Sequence, residues 1–105
     1  MATLVMKWEY TYDKESTWYD TDSGTERYDL IQGASYTLPH INKKILEIVS
    51  ITSKNDVIEA EIYVDYKTIY VSSNSDGVKA DASYSYCVAG DSVHLSLAMT
   101  FTIEK

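Results

Sequence analysis

One cysteine, one proline, four glycines, two histidines and nine basic residues leave this chain of 105 residues poor in the residue types that usually announce a function. With Cys87 alone, no internal disulfide can form, so stability must come from buried apolar surface. Cys87 shares a strand face with Lys79, Asp81, Ser83 and Ser85, and no helix start or cationic run stands beside it to lower its pKa; it reads as a structural thiol. No apolar run approaches the roughly 18–20 residues that cross a bilayer, and no membrane association is expected. The first eight residues, MATLVMKW, lack the basic start and continuous apolar core of a signal peptide. The expected location is cytoplasmic, in the host cell if the chain is phage-encoded, and secreted only if a leader has been removed. Nine bases against sixteen acids give a formal charge of −7, the wrong sign for neutralising phosphates, so direct nucleic-acid binding is not expected. A basic protein partner suits that charge.

Catalytic equipment is equally thin. His40 follows Pro39 in a loop, and His94 alternates outward on a strand. No nucleophile elbow marks any serine, and no convergent triad is legible, so no catalytic residue is assigned and the chain reads as a non-enzyme needing no cofactor. Asp20, Asp22, Gly24 and Glu26 space oxygen ligands around a glycine in the manner of a calcium loop. However, Gly24 stands where the third ligand belongs, and no metal site is assigned. One cysteine and two distant histidines do not make a zinc site.

What the chain does have is alternation. Val93, Leu95, Leu97, Met99, Phe101 and Ile103 are separated by His94, Ser96, Ala98, Thr100 and Thr102. Only an extended strand gathers that apolar set onto one face. Near the start, Leu4, Met6, Trp8, Tyr10 and Tyr12 alternate with Thr3, Val5, Lys7, Glu9 and Thr11. Residues 13–24 show no sustained period and read as a long loop, or as strand ends around an Asp22-Ser23-Gly24 turn. Short strands follow near 25–31 and 35–38. Residues 39–52 admit a helix, since Ile41, Ile45, Ile48 and Val49 fall at i, i+4, i+7 and i+8; β-branched density over 45–52 favours a strand at 44–52.

Beyond 56, Ile58, Ala60, Ile62 and Val64 are expected inward, with Val57, Glu59, Glu61, Tyr63 and Asp65 outward. Ile69 and Val71 lie on another short strand. Residues 72–77 read as a hairpin turn with Asp76-Gly77 at its tip, leading into strands at 78–88 and 92–103. The sum is one all-β domain over 1–105: a single antiparallel β-sandwich of about eight short strands, with a small barrel as the alternative that four glycines disfavour. The expected core includes Leu4, Met6, Trp8, Ile58, Ile62, Leu95, Leu97, Met99 and Phe101.

Ten tyrosines are the compositional outlier. Tyr10, Tyr12, Tyr84 and Tyr86 share faces with aliphatics, but Trp18 and Tyr19 lie in an acidic stretch, and Tyr63 and Tyr70 oppose their strands' aliphatic side. Exposed aromatics anchor interfaces. Acids cluster twice: residues 13–29 hold six acids and two bases, and residues 55–66 hold four acids and no base. The expected partner-binding residues are therefore Trp18, Tyr19, Asp20, Asp22, Glu59, Glu61 and Tyr63. The expected function is a non-enzymatic protein-interaction module, such as a phage-type inhibitor occupying a basic, nucleic-acid-binding partner. The alternatives are a carbohydrate-binding module of a secreted protein and a minor virion structural protein.

Overall fold

The computed structural model describes residues 2–14, 18–38, 45–64, 66–88 and 91–105, with side chains at all of these except 14, 18, 19, 82–88, 91 and 92. Eight strands are described, and among these residues there is no helix. They are β1 (Thr3–Lys14), β2 (Trp18–Asp29), β3 (Ser35–Thr37), β4 (Ile45–Lys54), β5 (Val57–Val64), β6 (Lys67–Ser72), β7 (Val78–Val88) and β8 (Asp91–Glu104). They form two antiparallel sheets, sheet I in the order β2-β1-β8-β7 and sheet II in the order β3-β4-β5-β6. The two sheets pack as a sandwich, as the alternation predicts.

The terminal strands are central in sheet I because they are the most regularly amphipathic. Leu4, Met6 and Trp8 on β1 stand opposite Ile103, Phe101 and Met99 on β8, so both apolar sets enter one face in register. Against them sheet II sets Leu46, Ile48, Ala60, Ile62, Val64, Ile69 and Val71 in one continuous core with Leu38. Phe101 is wholly buried; of the expected core, only Ile58 is merely half-buried. The 14 residues of β8 extend about 48 Å, which accounts for a longest dimension of 54 Å.

Each side of the sandwich is stitched between edge strands. On one, the Tyr28 ring of β2 meets that of Tyr36 of β3 at 4.7 Å, and the Tyr36 hydroxyl donates to the Asp29 carbonyl at 2.9 Å. On the other, Lys67 Nζ of β6 donates to the Asp81 carbonyl of β7 at 2.8 Å. Val5 is buried although it faces outward. Arg27, opposite Val5, and Glu104, opposite Thr3, form an ion pair at 2.6 Å diagonally across β1.

Two sequence expectations change and a third is borne out with an irregularity. Residues 18–24 are strand, not loop: β2 pairs with β1 from Lys14↔Trp18 to Thr3↔Asp29 without interruption, so Asp22-Ser23-Gly24 is no turn. The glycine has a packing reason instead. Gly24 stands opposite Trp8, and a Cβ there meets Trp8 Cζ2 at 2.7 Å, so the indole lies where a side chain would stand. Second, Ser72–Gly77 is not a hairpin: β6 belongs to sheet II and β7 to sheet I, so this segment crosses between the sheets. Ser73 fastens it, donating its amide to the Ile58 carbonyl and accepting the Ile58 amide on its hydroxyl. Third, the strand expected at 44–52 is present as β4, but the pairing slips between Ile48 and Ser50. Val49 is thereby an extra residue, and the inward phase passes from Leu46 and Ile48 to Ile51.

Candidate functional site

The outer face of sheet II is assembled by register. On this face Tyr63 of β5 lies between Glu47 of β4 and Thr68 of β6. The next row is Ser50, Glu61 and Tyr70, and the one after it Thr52, Glu59 and Ser72. Residues directly opposite on antiparallel strands have Cβ atoms about 4.5–5.5 Å apart, and i, i+2 neighbours on one strand lie about 6.6–6.8 Å apart. Glu59 and Glu61 therefore form the middle of a grid with hydroxyls on both sides and a phenol at one corner. A depression of about 340 Å³ opens over this grid.

Large apolar side chains accumulate here. Among the described residues, the exposed large hydrophobics are Ile31, Ile45, Val49, Tyr66 and Tyr70. Four of these five belong to sheet II or its β5–β6 connection. Val49 is 46% exposed as the extra residue of the β4 irregularity, and Tyr70 is 70% exposed. Tyr66, 84% exposed, has a backbone φ of 63°. A bulky aromatic residue rarely adopts that left-handed region. Its ring meets Tyr63 edge-on with centroids 6.5 Å apart, extending the aromatic surface beyond the strand ends.

The structure divides the sequence-expected residues between two places. Glu59, Glu61 and Tyr63 face outward together on β5, Glu59 fully and the others partly exposed. Asp65, expected beside them, lies outside the described residues. Asp20 and Asp22 are on edge strand β2, opposite Tyr12 and Tyr10, and so on the side of sheet I that faces the interior. Tyr10 donates to Asp20 Oδ2 at 3.3 Å; burial, and then the negative charges of Asp20 and Asp22, raise its pKa. Glu26 stands opposite Met6 on the same side. Inward-pointing charges on an edge strand discourage sheet-to-sheet association. The backbones of Trp18 and Tyr19 pair with Lys14 and Asp13, but their side chains lie outside the described residues. Asp20 and Asp22 thus do not join Glu59 and Glu61 in one surface.

Sequence reading left Glu47, Val49, Tyr66 and Tyr70 out of the expected site. Tyr70 carries a signal, its parity opposite to Ile69 and Val71. Val49 carries none, because its exposure arises from the slip in pairing. No group of three or more His, Cys, Asp or Glu suited to holding a metal occurs among the described residues.

The outer face of sheet I differs in kind. Lys7 and Lys79 share a row with Thr100, and Glu9 shares the next with Asp81 and Ala98, so opposite charges are neighbours. On sheet II, Glu47, Glu59 and Glu61 share their face with one described lysine, Lys54, in the row beyond Glu59, and neither Glu59 nor Glu61 is in ion-pair contact with a cationic side chain among the described residues. Compared with protein-family models, with curated proteins and with solved structures, the chain finds no match.

Proposed function

We propose that this chain is a non-catalytic protein-binding module that docks a basic protein through the outer face of sheet II. The observation that carries this reading is the concentration of exposed Ile45, Val49, Tyr66 and Tyr70 on one sheet and its β5–β6 connection, beside Glu47, Glu59 and Glu61. Large aromatic anchors surrounded by polar groups are the pattern of interface hot spots. The carboxylate row selects partners by sign, because complementary charge speeds encounter and suppresses wrong partners. A protein whose basic groove ordinarily holds phosphates is the partner such a row fits best, and occupying that groove would inhibit it.

Titration calorimetry with poly-L-arginine, poly-L-aspartate and a neutral oligosaccharide tests the reading. Poly-L-arginine binding is expected to weaken as salt rises, with no heat from poly-L-aspartate. Glu59→Lys with Glu61→Lys should cost about tenfold or more in affinity, equivalent to about 1.4 kcal/mol. Glu9→Lys with Glu104→Lys changes the formal charge equally, from −7 by +4 to −3, and should cost about twofold or less. Equal losses in both variants would reduce the attraction to net charge and overturn the proposal. Oligosaccharide binding to this face, indifferent to Glu59 and Glu61, would replace it with the carbohydrate reading, which the hydroxyls around Tyr70 favour.

A further inference from the structure

We infer that the depression beside Tyr70 is a subsite for one arginine side chain of the docked partner; this rests on the reading of sheet II as the docking face. The depression is lined by Ser50, Thr52, Glu59, Glu61, Tyr70 and Ser72, and it holds about 340 Å³. Three features combine in it. Tyr70 stands beside Glu61 on the neighbouring strand and leaves most of its ring in solvent, so a flat group can lie against the ring while meeting that carboxylate. Glu59 continues the line two residues along β5 and gives the same group a second acceptor. The hydroxyls of Ser50, Thr52 and Ser72 accept further N–H groups around the rim.

The chemistry selects guanidinium over the alternatives. It is planar and permanently charged, carries five N–H donors in a fork that matches carboxylates, and stacks on aromatic faces. A lysine ammonium is a compact, strongly hydrated point charge that gains the attraction but not the stacking or the paired geometry. A neutral sugar ring gains the stacking but leaves two carboxylates without a counter-charge. Two carboxylates beside one open ring, with no cation of the chain in contact among the described residues, are complementary to arginine.

The test is amide-shift mapping of the folded chain with two capped tripeptides, Gly-Arg-Gly and Gly-Lys-Gly. The arginine peptide is expected to give saturable shifts centred on residues 59–61 and 70–72, and the lysine peptide markedly weaker ones. Tyr70→Phe keeps the ring and should retain binding within about twofold. Tyr70→Ala and Glu61→Gln should each weaken it by about fivefold or more. Both positions tolerate change in the fold, since the side chains face solvent, and each variant's spectrum reports its folding directly. Equal response to both peptides, shifts centred elsewhere, or binding unaffected by Tyr70→Ala would overturn the assignment. If the tripeptide fails while poly-L-arginine still depends on Glu59 and Glu61, the subsite falls and the docking face stands. If both fail, the docking face falls with it.

Discussion

The two outer faces of this sandwich are built on the same backbone plan and differ in what their side chains leave unanswered. On sheet I, Lys7 and Lys79 neighbour Glu9 and Asp81, Arg27 pairs with Glu104, and hydroxyl-bearing Thr100 and Thr102 stand among them. Charges of both signs are mixed there, and Arg27 and Glu104 are in ion-pair contact. On sheet II, Glu47, Glu59 and Glu61 stand among Ile45, Val49, Tyr63 and Tyr70, with apolar surface open and acids outnumbering the one described lysine of the face, Lys54. A face that satisfies itself gains little from a partner. A face with desolvatable aromatics and unanswered carboxylates gains from both burial and attraction.

The contrast holds only if both faces rest on one common core, and the largest expected effect checks that. Phe101 is wholly buried between the sheets, so Phe101→Ala should lower unfolding free energy by about 3–5 kcal/mol in denaturant titration. Thr100→Ala, one position away on the outer face, should change it by about 0.5 kcal/mol or less. Comparable losses at both positions would mean that inside and outside have been misassigned.

Next in size is the alkaline behaviour of Tyr28. Burial, and then the charge of Glu26, push its phenol up to about 12, while its hydroxyl has no hydrogen-bond partner among the described residues. The folded chain thus holds this proton more tightly than the unfolded chain does. The stability this contributes is complete below pH 10 and is lost as pH rises towards 12, by about 2–3 kcal/mol. Tyr28→Phe should remove that portion of the alkaline loss and leave neutral-pH stability unchanged or slightly higher, because a buried unpaired hydroxyl is costly. Parallel pH curves for the two proteins would contradict the burial of this group. Gly24→Ala should cost about 1–3 kcal/mol, since the new Cβ meets the Trp8 ring at 2.7 Å on a strand that must shift to admit it. A neutral result would mean that the indole moves freely.

The smallest stability effect belongs to the docking face. Glu59→Lys with Glu61→Lys should leave stability within about 0.5 kcal/mol, as replaced surface groups usually do. A large destabilisation would show that the two carboxylates are structural.

How much of this is legible in the sequence follows from period-two alternation. Where the phase is unbroken, as at Leu4–Trp8, Ile58–Val64 and Val93–Ile103, inward and outward positions are read correctly, and Glu59, Glu61 and Tyr63 follow from them. Where a pairing irregularity shifts the phase, as at Val49, the run looks apolar on both sides and imitates a helical period. Where polar residues occupy the interior side of an edge strand, as Asp20 and Asp22 do, alternation disappears and a strand reads as a loop. Gly24 deepened that misreading, because a glycine covered by an aromatic ring from the next strand has the same one-letter signature as a turn. The crossing between β6 and β7 has no local signal at all, since Asp76-Gly77 suits a hairpin equally well and sheet membership is decided by β8 pairing with β1.

The most direct test of the difference between the faces is carboxyl labelling by carbodiimide and an amine, read by mass spectrometry, with and without poly-L-arginine. Glu47, Glu59 and Glu61 should lose reactivity when the basic chain is present, while Glu9 and Glu104 keep theirs. Equal protection on both faces, or protection confined to Glu9 and Glu104, would contradict the assignment of sheet II as the surface this protein presents to its partner.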